Sequence, residues 1–105
     1  MAIYNTAITA TSAGSANTLA SGSGARAITT VIVCNTTAGD LTVTLYAVPS
    51  GGSAGNGTMI VNTLTVPAGD TVSFDQEKMV LTTGDSIVAV GSNTGLTATI
   101  STLAV

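Results

Sequence analysis

The side chains that could carry out chemistry in this chain are few and cover a narrow range of types. The sequence has 105 residues, with no histidine, one cysteine and five carboxylates. Without histidine, neither a Ser–His–Asp triad nor a Cys–His pair can form, and imidazole ligands for a metal are missing. We therefore expect a protein that is not an enzyme and that holds no metal and no cofactor.

The carboxylates occur in two settings. Three of them follow a glycine: Asp40, Asp70 and Asp85. Aspartate in such turns commonly accepts hydrogen bonds from backbone N–H groups, and this is the role we predict for them. Asp75 and Glu77 are two residues apart with Lys78 beside them, which would suit a weak cation site or a local ion pair.

Cys34 is the lone cysteine, so it cannot form an internal disulfide. The three residues before it, Val31, Ile32 and Val33, are apolar. This setting predicts a small buried hydrophobic side chain rather than a reactive thiol.

Charge is scarce throughout the chain. Only 7% of the residues are charged, against about 25% in an ordinary soluble domain. Two basic residues, Arg26 and Lys78, are too few to neutralise a track of phosphates or to bind an anionic membrane, so we expect neither partner. The polar surface must be built from Thr, Ser, Asn and Gly, which lets identical copies pack without repulsion. The first residues lack the positive charge of a secretory signal, so synthesis in the cytoplasm without a signal peptide is expected.

The elements that would position these side chains are β-strands. Short apolar runs rich in β-branched residues recur between Gly, Asn, Asp and Pro, a pattern typical of strands joined by turns. The clearest strand spans residues 41–48, where Leu41, Val43 and Leu45 share one face and threonines lie on the other. Further strands are predicted at 2–8, 27–35, 59–66, 71–74, 78–81, 86–90 and 96–103, which makes about eight in all.

Residues 27–35 are apolar on both faces at their centre, as is typical of a strand covered on both sides. The turn residues that follow predict a hairpin between 27–35 and 41–48. The tight turn Pro-Ala-Gly-Asp likewise predicts a hairpin between 59–66 and 71–74.

Two less regular segments are also evident. Residues 49–57, with the sequence PSGGSAGNG, are too rich in glycine for regular structure, so we predict a flexible loop. Residues 9–25 consist largely of Ala, Ser, Gly and Thr and have two interpretations. They form either a weak edge strand between loops or, with residues 1–8, an arm that pairs with a neighbouring protein.

The spacing of the strands, without a helix between them, predicts one all-β domain over residues 1–105. We expect an antiparallel β-sandwich or small barrel of the jelly-roll or Greek-key type. Seven residues of the N-terminal segment, the 41–48 strand and the glycine-rich loop are candidates for contact with another protein: Ile3, Tyr4, Ile8, Tyr46, Pro49, Gly52 and Asn56.

Four segments carry a resemblance to known proteins: MAIYNTAITATS, VIVCNTTAGDLTVTLYAVPSGG, VPAGDTVSF and LTTGDSIVAV. Together they cover most of the chain, and their types and order resemble those of small virion structural proteins of tailed bacteriophages. Within that group the chain looks most like the capsid decoration, or cement, proteins.

The resemblance implies a protein that binds the outside of the major capsid lattice and stabilises the head. It also implies self-association, with a homotrimer favoured, and a location on the virion exterior. Two alternatives stay open. One is a virion protein of the neck, tail or fibres, and the other is a β module that binds a host surface or a glycan through the 49–57 loop.

Overall fold

The computed structural model describes residues 2–22, 25–74 and 79–104, and these residues form nine β-strands and one short 3-10 helix. The strands are β1 (Ala2–Ile8), β2 (Asn17–Ser21), β3 (Arg26–Asn35), β4 (Leu41–Val48), β5 (Met59–Val66), β6 (Thr71–Phe74), β7 (Met79–Leu81), β8 (Ser86–Gly91) and β9 (Leu96–Ala104). The helix spans Ala13–Ser15. Within the described ranges, no helix has the length and apolar character needed to cross a membrane.

The strands form two antiparallel sheets. The five-stranded sheet has the order β1-β9-β3-β6, with β7 also paired to β3, and the four-stranded sheet has the order β2-β8-β4-β5. β6 and β7 pair with different parts of β3, so they occupy one strand position. Counted this way, the sandwich has eight strand positions. Between these eight positions, every connection except that from β4 to β5 passes from one sheet to the other, which is the topology of a jelly roll. The link from β6 to β7 stays within a single position. The predicted fold class is confirmed.

The main hydrophobic core lies between the two sheets, and alternation along each strand supplies it. On β4 the inward side chains are Leu41, Val43 and Leu45, as the sequence pattern predicts. The central strands β9 and β8 contribute side chains such as Ile100 and Ile87, neither of which is exposed at all. Full burial of such a side chain contributes about 1.5 to 3 kcal/mol to folding.

A second, smaller apolar cluster lies on the outer face of the four-stranded sheet. Tyr46 and Val48 of β4 pack there with Val88 and Val90 of β8. Ala10 also belongs to this cluster, and Ala16, Ala54 and Met59 pack against it. The segments between β1 and β2 and between β4 and β5 therefore cover this outer face, although the 49–57 segment has no regular strand.

Both predicted hairpins are wrong. β3 lies in the five-stranded sheet and β4 in the four-stranded sheet, and the same division separates β5 from β6. The Pro67 turn does close as expected, since Asp70 N–H donates to the Pro67 carbonyl at 2.9 Å. A tight turn can carry the chain across the sandwich as well as back along the same sheet, so the turn residues alone do not distinguish a corner from a hairpin.

The side chain of Asn35 explains why the chain turns across the sandwich at the end of β3. Asn35 is fully buried, and its Nδ2 donates to the carbonyls of Gly39 at 2.8 Å and Val66 at 2.9 Å. Its Oδ1 accepts from the Thr37 backbone N–H at 2.9 Å. These bonds tie the β3–β4 corner to the end of β5, which belongs to the other sheet.

The N-terminal segment belongs to the chain's own sheets in this structure. β1 pairs with β9 over all of its seven residues. Asn17–Ser21, which the sequence left as either an edge strand or part of an arm, forms β2 and pairs with β8 at the edge of the four-stranded sheet. The arrangement is thus that of the edge-strand alternative, and no part of residues 2–22 extends away as an arm.

Candidate protein-binding face

The outer face of the five-stranded sheet is a regular surface to which all five of its strands contribute side chains. Ile8, Val33, Ala98 and Ile100 point into the core, so the residues that alternate with them point outward. We call these outward residues the outer A face: Ile3, Asn5 and Ala7 of β1; Thr97, Thr99, Ser101 and Leu103 of β9; Ala27, Thr30, Ile32 and Cys34 of β3; Thr71 and Ser73 of β6; and Val80 of β7.

No residue of the outer A face is charged. Of the six large hydrophobic side chains that are exposed among the described residues, four lie on it: Ile3 at 68%, Val80 at 59%, Leu103 at 48% and Ile32 at 36%. Between them lie hydroxyl groups, including Thr99, whose Oγ1 bonds the Asn5 Oδ1 at 2.7 Å. A face of apolar and neutral hydroxyl groups can be buried against another protein without removing a charge from water.

The centre of this face is β3, and two predictions about β3 are wrong. The strand is packed on one side only, because Ile32 is 36% exposed on the other. Cys34 is half-buried and points outward with Ile32, rather than into the core. Both sides of β3 therefore carry apolar residues, but only the inner side is packed against other residues of the chain.

Six of the seven candidate interface residues fall into three groups. Ile8, with no exposed surface, and Tyr46, with 5%, belong to the hydrophobic clusters and offer no surface to a partner, so we remove them from the candidate interface. Ile3 lies on the outer A face. Pro49, Gly52 and Asn56 are exposed on the loop between β4 and β5, at a distance in sequence from that face.

Tyr4 lies on the inner side of β1, at the open edge of the sandwich. The Arg26 guanidinium carbon is 5.4 Å from the centre of the Tyr4 ring, and Arg26 Nη1 also donates to the Tyr4 hydroxyl. A cation placed over an aromatic ring in this way is attracted by the ring's electrons. Tyr4 and Arg26 help to line a cleft of about 500 Å³ between β1 and β2.

The three glycine-linked aspartates act as the sequence predicts, by accepting hydrogen bonds from backbone N–H groups. Asp40 Oδ1 accepts from Ala68 at 3.0 Å, and Asp70 Oδ1 accepts from Thr71 at 2.8 Å. Asp85 accepts from Ser50 at 2.9 Å with Oδ1 and from Thr82 at 3.0 Å with Oδ2.

The Asp85 bonds also have an electrostatic effect. Donation from the Thr82 backbone, followed by that from the Ser50 backbone and the Thr82 hydroxyl, lowers the pKa of Asp85 below its ordinary value of 3.8. The cation site or ion pair considered for Asp75, Glu77 and Lys78 lies outside the described residues.

The outer A face was not predicted as a site. The sequence contains its residues but does not show that they lie together on one face. Strands β1, β3 and β9, which are far apart in sequence, contribute most of its residues. Which side of each strand faces outward depends on which strands share a sheet. The feature of the sequence that indicates such a face is the apolar character of both sides of residues 27–35.

Comparison of the chain with models of protein families, with curated proteins and with solved structures gave no significant match.

Proposed function

We propose that this protein is a structural protein of a tailed-phage virion, which binds the exterior of the major capsid lattice and stabilises the head. The observation that carries the proposal is the outer A face. Its central strand, β3, is apolar on both sides but is packed on one, and Ile32 lies exposed at 36% on the other. A second protein surface would complete the packing of that strand.

The chemistry of the face suits repeated binding to a lattice. Burial of apolar surface contributes about 25 cal/mol per Å², and here no charge has to be desolvated in return. Identical neighbours on a lattice would not repel each other through this face. A lattice also presents many equivalent sites, so modest affinity per copy adds up to strong reinforcement of the shell.

The assignment to a phage head is supported by the resemblance of four sequence segments to virion structural proteins. The jelly roll is compatible with that assignment but does not select it, because one fold serves many functions. The particle itself therefore provides the test.

The deciding measurement is the number of copies per purified virion, obtained by quantitative mass spectrometry against the major capsid protein. We expect hundreds of copies, in a simple ratio to the capsid subunit. About a dozen copies would overturn the capsid role in favour of the neck, tail or fibres. Absence from particles would overturn any virion role and favour a free binding module.

The binding face is tested by Ile32→Lys, with Ile60→Lys as the matched control. Both isoleucines are exposed, at 36% and 46%, but Ile60 lies on β5 of the other sheet. A lysine buried without a partner opposes binding, so Ile32→Lys should weaken binding to undecorated particles at least tenfold, or about 1.4 kcal/mol. Ile60→Lys should bind as the wild type does, and equal loss in both variants would contradict the assignment of the face.

A further inference from the structure

The strand at one edge of the five-stranded sheet, β1, differs from the other edge strands in its regularity. It pairs with β9 from Ala2↔Thr102 to Ile8↔Leu96 without a register shift. It carries no charge and no proline. Its outer edge therefore presents a straight row of backbone N–H and C=O groups over seven residues, which is a template for another strand.

The other edges carry features that oppose strand addition. β5 has two register shifts against β4, and Thr63 within it has a positive φ of 47°. β2 has five residues with a register shift, and β6 and β7 have only four and three residues. Bulges and short edge strands are the usual means by which proteins block edge pairing. β1 alone among the described edge strands has neither.

We infer that β1 pairs antiparallel with β1 of a second copy of this chain, about a two-fold axis at Asn5. This register is the one that pairs all seven residues of both strands. It sets Ile3 opposite Ala7 of the second copy and Tyr4 opposite Thr6, so that each large side chain meets a small one. It also keeps outward residues opposite outward residues, because side chains alternate with a period of two.

The second copy is favoured as the occupant because the pairing makes the two outer A faces continuous. Two five-stranded sheets would join edge to edge, and both central faces would point the same way. Ile3, whose side chain is 68% exposed in the single chain, would gain a cross-strand neighbour. The described acidic residues lie in turns, so no like charges meet along β1. The inference does not depend on the virion role, because purified protein alone should form the pair.

The first test is the mass of the purified protein by sedimentation equilibrium. We expect twice the 10.2 kDa chain mass. Asn5→Lys would set two like charges directly opposite each other and should weaken the dimer at least tenfold. An equimolar mixture of Asn5→Lys with Asn5→Glu should restore a dimer, which also shows that both variants fold. Ser73→Lys adds the same charge at the opposite edge of the sheet and should leave the dimer intact.

The second test is oxidative cross-linking in a Cys34→Ser background. Opposite residues in an antiparallel pair have Cα atoms about 4.5 to 5.5 Å apart, a separation that a disulfide can span. Asn5→Cys should therefore cross-link with itself. Ile3→Cys should not, since its counterpart would lie about 14 Å away along the strand, but Ile3→Cys mixed with Ala7→Cys should cross-link.

A monomeric mass would overturn the inference and leave the β1 edge to a strand of another protein. A trimeric mass, which the resemblance implies, would overturn the two-fold arrangement. A dimer in which Asn5→Cys fails to cross-link would also contradict the β1 pairing. None of these outcomes changes the copy number on the virion, so the two proposals fail separately.

Discussion

Gly22 lies where the backbone after β2 comes close to the backbone after β7. Its N–H donates to the Asp85 carbonyl at 2.8 Å, and a Cβ added to it would overlap the carbonyl group of Thr82. Gly22→Ala should therefore force the β2–β3 link away from the β7–β8 turn, at a cost of about 2 kcal/mol or more. The free energy of unfolding from urea titration measures this change.

The matched control is Gly14→Ala, because a Cβ at Gly14 would meet no atom within 4 Å. We expect its free energy of unfolding to differ from the wild type by no more than about 0.5 kcal/mol. Equal effects at the two glycines would contradict the close approach at Gly22.

Asp85 makes stability depend on pH. Hydrogen bonds from Thr82 and Ser50 lower its pKa in the folded chain, so folding favours the ionised form. The stabilisation is fully present above the ordinary pKa of 3.8, which the unfolded chain retains, and is lost as the pH falls through the lower folded pKa.

The test is Asp85→Asn, which cannot ionise. We expect the variant to unfold at lower urea concentration than the wild type at pH 7, because an amide is a weaker acceptor than a carboxylate. Its urea midpoint should also fall less than that of the wild type between about pH 5 and about pH 2. Equal acid-induced losses in the two proteins would show that Asp85 does not contribute.

The corner between β3 and β4 depends on Asn35. Replacement by alanine would remove the donor to the buried Val66 carbonyl and the acceptor for the Thr37 N–H. Buried polar groups left without partners cost about 1 to 3 kcal/mol each, so Asn35→Ala should destabilise the fold by about 2 to 3 kcal/mol in urea titration.

Asn62→Ala provides the comparison for Asn35, because Asn62 is exposed and its Oδ1 accepts only a long bond of 3.3 Å from Thr63 Oγ1 among the bonds the structure gives. Its effect should stay within about 0.5 kcal/mol. If Asn35→Ala were as mild as this control, the corner would not depend on the Asn35 side chain.

Most strands could be predicted from local pattern, but their partners could not. Alternation in residues 41–48 identified β4 with its bounds, and β1, β5 and β6 also match the predicted ranges. β2 was left undecided because Asn17–Ser21 has little β-branched character, and its pairing with β8 depends on residues far away in sequence.

For the candidate interface residues, the sequence likewise shows on which side of a strand a residue lies. It does not show which distant segments cover that side. The sequence identifies Tyr46 as an aromatic on the threonine-bearing side of β4. It does not reveal that Ala10 and Ala54 cover that side. Ile3, by contrast, is exposed because β1 lies at a sheet edge whose outer face has no covering segment among the described residues.

The absence of charge on the outer A face predicts how binding depends on salt. The outer A face carries no charge, so binding of the protein to particles should change less than about twofold between about 50 mM and 500 mM NaCl. Sulfate should strengthen binding, because it favours burial of apolar surface. A steep loss of affinity with NaCl, measured by co-sedimentation, would assign binding to charged groups elsewhere on the chain.

The position of β9 also governs how the chain reaches its native state. β9 is the last of the nine strands to be synthesised, yet it lies between β1 and β3 and separates them in the finished sheet. Neither neighbour can take its final place on the ribosome before residues 96–104 emerge. The folding rate should therefore lie in the millisecond-to-second range of domains dominated by distant strand pairing.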